Sequence, residues 1–295
     1  MTDPIRIFDR ALLRQRRDRA APGLAGFDFL FRETAARLAD RLDDITRTFP
    51  LALDLGCRGG ELAAAVAGHG GIETLVACDP SARMLALDRA GGAPGPRVAA
   101  DAEALPFADH SFDAVLSNFD LHWVNDLPGA LVQARRVLKP DGLFLAVMAG
   151  GATLHELRRA LSEAEEAVDG GVSPRVSPFA DVRDVGNLLQ RAGFALPVAD
   201  SETVTVSYGD PLRLMADLRG MGESNAVIAR RRRPLRRETL LTAAARYRDL
   251  FAGADGRVPA TFELVTLTAW APHPSQQRPL APGSGAVDLG DALGD

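Results

Sequence analysis

The segment Leu51-Ala52-Leu53-Asp54-Leu55-Gly56-Cys57-Arg58-Gly59-Gly60 constrains the fold of this chain more than any other. An apolar strand ends on a carboxylate, breaks into glycines, and opens the helical pattern Glu61-Leu62-Ala63-Ala64-Ala65-Val66. Such a junction suits nucleotide binding, because glycine lets backbone N–H groups approach a ligand at a helix N-terminus. The position of the acid selects the ligand. In a dinucleotide fingerprint the strand runs into its glycines without a carboxylate, and the loop cradles a doubly negative pyrophosphate. Asp54, just before Gly56, would repel that group and welcome a ligand with a cationic amino-acid end. This chemistry points to S-adenosyl-L-methionine, with Gly56, Cys57 and Gly59 in the loop that meets it.

Two further acids support the reading. Leu75-Val76-Ala77-Cys78-Asp79, followed by Pro80, is a second buried-strand pattern whose acid lies 25 residues after Asp54. That is about the offset at which the next strand presents a carboxylate to ribose hydroxyls. Asp101, followed by Ala102, comes just past a short third strand, where a carboxylate can accept from an adenine amino group. Successive strand-end acids with helices between them carry far more weight than a lone glycine motif.

The alternation extends along the chain. Strands are expected near 51–55, 74–78, 97–100, 112–117 and 142–148, and helices near 60–68, 81–90 and 126–138. This is an α/β pattern with a mostly parallel, seven-stranded sheet, completed by strands at 202–208 and 261–270. Residues 1–49 read as an N-terminal helical segment and 50–271 as the cofactor-binding domain. Residues 211–251 form a helical insertion, and 272–295 a flexible tail rich in Pro, Gly and Ser. Lys139-Pro140-Asp141-Gly142 is expected to be a tight turn. With 46% hydrophobic residues and a net charge of −5, nothing suggests nucleic acid or a membrane surface as partner. No run reaches the ~18–20 apolar residues that span a bilayer. Cys57 and Cys78 read as small buried hydrophobes in a reducing compartment. The Arg-rich N-terminus is interleaved with Asp3, Asp9 and Asp18 and lacks a leader pattern, so the cytoplasm is the expected location.

The fourth strand delivers Asn118-Phe119-Asp120-Leu121-His122-Trp123 to the carboxyl edge of the sheet, where ligands bind in such folds. Asn118 can line the methionine part of the cofactor. His122 and Trp123 are the candidate catalytic residues, as a polar and aromatic floor under the reactive sulfonium. A purely packing role for the pair is equally open. No zinc spacing connects the five histidines, and no metal site is expected. The run from Arg230 to Arg237 reads as a solvated helix end or as a dock for an acidic partner.

About residues 50–150 resemble class I S-adenosylmethionine-dependent methyltransferases of the type 11 group. Nine-tenths of the chain resembles the mitochondrial complex I assembly factor 5 family and its bacterial relatives. The matching stretches are Ile7-Phe8-Asp9-Arg10, Leu121 to Pro128, Leu138 to Gly142, Gly170 to Phe179, Asp217 to Asn225 and Val258 to Thr261. The resemblance implies the Rossmann-like methyltransferase fold, S-adenosyl-L-methionine as cofactor, a complex I subunit as partner, and hydroxylation of an arginine of that subunit. A second relative methylates a malonyl group on acyl carrier protein. Methyl transfer, hydroxylation and a non-catalytic assembly role are therefore all carried forward. Two residues depart from the pattern: Arg58 replaces a glycine, and Asp120 stands where the family has a small polar residue. Arg58 is expected either to point outward or to pair with the carboxylate of the cofactor. Residues 211–251, with Gly220 and Gly222 as hinges or caps, are the candidate lid over the substrate.

Overall fold

A computed structural model describes residues 6–90 and 95–277. Seven strands form one sheet: β1 (Leu51–Leu55), β2 (Thr74–Cys78), β3 (Arg97–Val98), β4 (Phe112–Asn118), β5 (Leu138–Ala149), β6 (Ala195–Tyr208) and β7 (Val258–Trp270). Their order is β3-β2-β1-β4-β5-β7-β6. The strands from β3 to β5 pair in parallel, while β7 is antiparallel to both β5 and β6. This is the mostly parallel, Rossmann-like arrangement expected from the alternation. The order reverses between β1 and β4, which opens a crevice at their carboxyl ends.

Helices cover both faces, so the central strands read as continuous apolar runs. One face packs Ala52, Leu116 and Leu145 against α2 (Phe29–Asp43), α6 (His155–Asp169) and α9 (Arg237–Phe251). The other packs Leu53, Val115 and Phe144 against α5 (Leu127–Val137) and α7 (Val182–Arg191). Helix α2 buries Leu30, Phe31, Thr34, Ala35, Leu38, Ala39 and Leu42, a stripe at helical spacing. Ahead of it, α1 (Arg10–Ala20) starts where Asp9 accepts the backbone N–H of Leu12 at 3.0 Å. The remaining helices are α3 (Glu61–Ala65), α4 (Ala82–Ala90) and α8 (Pro211–Gly220).

Several boundaries differ from the expected ones. Lys139-Pro140-Asp141-Gly142 is no turn between elements but a bulge inside β5: Phe112 pairs with Leu138 and Ala114 with Leu143. The Lys139 ammonium meets the Asp113 carboxylate at 2.7 Å across the bulge. The predicted helix 60–68 stops at Ala65, and β6 starts at Ala195, well before 202. The 211–251 insertion is helical only at its two ends, and residues 221–236 between α8 and α9 run back toward the crevice. Within the predicted tail, residues 278–295 lie outside the described residues.

Candidate functional site

Three strand ends bring Asp54, Asp79 and Asp101 to one edge of the sheet. Their surroundings differ sharply. Asp54 is fully buried, and neither carboxylate oxygen has a hydrogen-bond partner. Burial pushes its pKa well above the usual carboxylate range, and the nearby Asp88, Glu61, Asp79 and Asp120 add to the shift. Asp79, also fully buried, accepts the backbone N–H of Ser81 at 2.7 Å and of Arg58 at 3.3 Å. The Arg17 guanidinium lies 3.6 Å from it. Asp101 is part-exposed and accepts from Arg10 at 2.6 Å. Arg10 and Arg17 lie two turns apart on α1, so one helix face lays two guanidinium groups onto two of the three acids.

The glycine turn does not present its N–H groups outward as expected. Gly56 and Cys57 both donate to the carbonyl of Cys78 at 2.8 and 3.1 Å, and Gly60 donates to that of Cys57 at 3.0 Å. Gly59 donates to Glu61 at 3.1 Å, and the Arg58 N–H to Asp79. Gly56 has φ of +82°, and a Cβ there would lie 2.4 Å from Cβ of Asp120. Asp120 is thus packed directly over the turn. Pro80 follows Asp79 in the chain, and Ala102 is buried in the core behind Asp101. Cys57 and Cys78 are free, buried thiols, with the pKa of Cys78 pushed by burial up to about 12.

Arg58 does not take the outward orientation. It turns inward and is 1% exposed. Its guanidinium donates to Glu223 at 2.6 Å and to the Phe119 carbonyl at 2.5 Å, and lies 4.3 Å from the centre of the Phe31 ring. Asp120 is 4.0 Å away and is itself paired with Arg17 at 2.5 Å. Burial alone would raise the pKa of Asp120, but Arg17 and Arg58 outweigh it and lower the value. The two departures from the family pattern therefore face each other within one buried ionic cluster.

Glu223 completes the cluster from the segment after α8. It accepts from Trp123 Nε1 at 2.5 Å and from His122 Nε2 at 3.2 Å, besides Arg58. Burial opposes its ionisation, yet Arg58 and His122 hold its pKa well below the usual carboxylate range. For His122, burial lowers the pKa in spite of Glu223. The backbone N–H of Ala149 points at its Nδ1 from 3.4 Å, so the neutral ring with its proton on Nε2 satisfies both contacts. His122 and Trp123 are both packed and hydrogen-bonded, and both line a cavity of about 160 Å³. Leu157, Met215, Leu218 and Phe262 form its apolar walls, and Glu223 lies on its polar side. Asn118 is not part of this group: its side chain binds Thr34 at 2.7 Å and the Phe31 carbonyl at 2.9 Å, on α2.

The sequence pattern did not reveal Glu223, Arg10 or Arg17 as site residues. Their signal lay in the quoted motifs, which converge in space. Asn125 accepts the N–H groups of Ile7 and Phe8 at 2.8 and 2.7 Å, and Phe8 stacks edge-on against Trp123 at 5.2 Å. Phe8, Trp123, Ala226 and Val227 form one small core. The arginine run is tied down rather than solvated throughout: Arg230 pairs with Asp9 at 3.3 Å, and Arg231 and Arg236 with Asp169 at 3.1 and 3.3 Å. Among the described residues, no group of three or more His, Cys, Asp or Glu could hold a metal ion, and no helix is long and apolar enough to cross a membrane.

Residues 53–146 match the family described as Methyltransferase domain. Over 97% of its length, the chain is 44% identical to the mitochondrial arginine-hydroxylase NDUFAF5 of Danio rerio, covering 89% of that protein. It is 38% identical to the malonyl-[acyl-carrier protein] O-methyltransferase of Halorhodospira halophila, over 96% of this chain and 94% of that one. The phosphoethanolamine N-methyltransferase 2 of Haemonchus contortus, solved with S-adenosyl-L-methionine, shares the fold with a TM-score of 0.54 at 16% identity. The superposition covers 86% of this chain and 57% of that one. The expectation of a cytoplasmic location is overturned by the first of these relatives, which is mitochondrial. Interleaved acids in the first residues describe a local charge pattern and do not determine a compartment.

Proposed function

Since the chain belongs to the arginine-hydroxylase NDUFAF5 family, we propose that it hydroxylates an arginine side chain of a respiratory complex I subunit during assembly. It is an enzyme built on the methyltransferase fold, and S-adenosyl-L-methionine is the cofactor of that fold. The observation that carries the reading is the extent of the likeness. It runs over 97% of the chain, far beyond the methyltransferase domain at 53–146, and so takes in the 221–236 segment that closes the site.

The donor set suits the cofactor. In this reading Asp79 would accept the ribose hydroxyls and Asp101, with Ala102, would meet the adenine, while the unpartnered oxygens of Asp54 lie beside the turn at Gly56, Cys57 and Gly59. Arg17, Arg58 and Asp120 fill the space between them, so a ligand seated there displaces a cation and brings its own. When bound, the cofactor supplies an electrophilic methyl group on its sulfonium. Hydroxylation instead converts a C–H bond of the arginine to C–OH: dioxygen would supply the oxygen atom, and its second atom would leave as water with two electrons and two protons from an external reductant. His122, neutral and hydrogen-bonded to Glu223, fixes that carboxylate on the wall of the cavity.

The likeness to the malonyl-[acyl-carrier protein] O-methyltransferase favours methyl transfer to a carboxylate as the second reading. One experiment decides between them. The purified protein is incubated with S-adenosyl-L-methionine, an oxidant source and the candidate complex I subunit, and the subunit is weighed by mass spectrometry. An oxygen increment on an arginine is expected; a methylene increment establishes the second reading, and an unmodified subunit that co-purifies defeats both.

A further inference from the structure

We infer that the cage around the Arg58 guanidinium is a recognition site for the arginine side chain of a protein substrate, with Arg58 as its internal occupant. The inference rests on arginine being the residue modified. The cage has the three features a planar guanidinium uses and an ammonium uses poorly: a carboxylate from Glu223, a carbonyl from Phe119, and the aromatic face of Phe31. Arg58 reaches it from a backbone with φ of +49°, a conformation unfavourable for a side chain of its size. Its place is therefore maintained by the cage and not by its own backbone.

Glu223 stays in position without Arg58, because His122 and Trp123 hold its second oxygen. It also borders the cavity of about 160 Å³, whose apolar walls suit the methylene stem of one long side chain. A substrate guanidinium arriving through the cavity replaces Arg58 cation for cation, so Glu223 is never left buried and unpaired.

The test uses the Arg58→Gly variant, whose glycine suits the left-handed backbone, with methylguanidinium and N-acetyl-arginine methylamide as probes in calorimetry and thermal unfolding. Both probes are expected to bind the variant at least about tenfold more tightly than the native protein, in which Arg58 competes. They should also raise its unfolding temperature. Methylammonium should not replace them, and Glu223→Gln in the same background should abolish binding. Equal binding to native and variant proteins, equal binding of methylammonium, or survival of binding in the double variant overturns the proposal. If Arg58→Gly fails to fold, Arg58→Lys keeps the cation but loses the fork, and must then bind the arginine probe more tightly than the native protein. These binding experiments involve no turnover, so a missing oxygen increment with intact binding defeats only the reaction. An oxygen increment whose kcat and KM ignore Glu223→Gln defeats only the cage.

Discussion

Asp54 and Glu223 are both buried carboxylates at one site, and their electrostatic situations are opposite. Asp54 sits at a strand end with no donor to either oxygen, and burial drives its pKa up. Glu223 sits in an irregular segment with three donors, and Arg58 and His122 drive its pKa down although its side chain is only 6% exposed. The first acid costs stability for want of partners; the second is satisfied by its three donors. A buried charge is tolerated only where partners compensate its desolvation, so an acid without partners marks a place where something else is meant to bind.

The largest effect is expected from breaking the satisfied side. Glu223→Ala leaves the buried Arg58 guanidinium with only Asp120, 4.0 Å away and already paired with Arg17, and removes the acceptor of Trp123 and His122. Loss of one member of a buried ion pair costs about 3–5 kcal/mol, measurable by urea unfolding. A loss below about 1 kcal/mol would mean that Arg58 finds another partner, and the contrast with Asp54 would fail.

Asp54→Asn tests the other side and should have the opposite sign. Asparagine removes the buried charge but leaves an amide without partners, so the ligand-free protein is expected to gain only what ionising Asp54 costs, while its affinity for S-adenosyl-L-methionine weakens in calorimetry. A destabilised variant would show that Asp54 has a structural partner.

The pH dependence sharpens the same contrast. The raised pKa of Asp54 lets the folded state take up its proton before the unfolded state does. Its penalty therefore sets in as pH rises above the unfolded value of about 3.9. The gain from Asp54→Asn should grow with pH across that window. Glu223 runs the other way: its folded pKa is lowered, so its contribution is present above about 4.3 and is lost as pH falls below that. His122, also lowered, adds a loss that begins as pH falls through about 6.5, where the unfolded ring charges first. Below about pH 6.5 the His122 loss and the Asp54 gain oppose each other, and His122→Gln should remove the loss, leaving the slope set by Asp54. An unchanged slope in this variant would remove His122 from the account.

The legible half of the site is the half made by local pattern. A strand, a glycine turn and a helix are contiguous, so Asp54 and Asp79 could be placed from spacing alone, and the parallel sheet followed from alternation. Glu223 could not be placed this way, because its partners Arg58, His122 and Trp123 lie 100 to 165 residues away in the chain. Arg10 and Arg17 were hidden for a second reason: in a chain with a single lysine, arginine is too common for any one to stand out. The inward turn of Arg58 is set by Glu223 and Phe31 and has no local signature. Asn118 was legible as a position and not as a direction, since its side chain is claimed by Thr34 on α2.

The smallest effect belongs to the arginines that the composition makes most conspicuous. Arg236 pairs with Asp169 at 3.3 Å, but its side chain is 69% exposed. Water and salt screen that pair, and holding a long side chain in place offsets much of what is left. Asp169 also keeps Arg231 at 3.1 Å and the Thr239 hydroxyl at 3.1 Å, so removal of Arg236 orphans nothing. Arg236→Ala is therefore expected to change stability by less than about 0.5 kcal/mol in urea unfolding. Asp169→Asn should cost more, because it withdraws the shared acceptor of two arginines and a threonine from a carboxylate that is only 6% exposed. If Arg236→Ala proved as damaging as Glu223→Ala, burial would not be what separates the guanidinium groups that shape this site from those that decorate its surface.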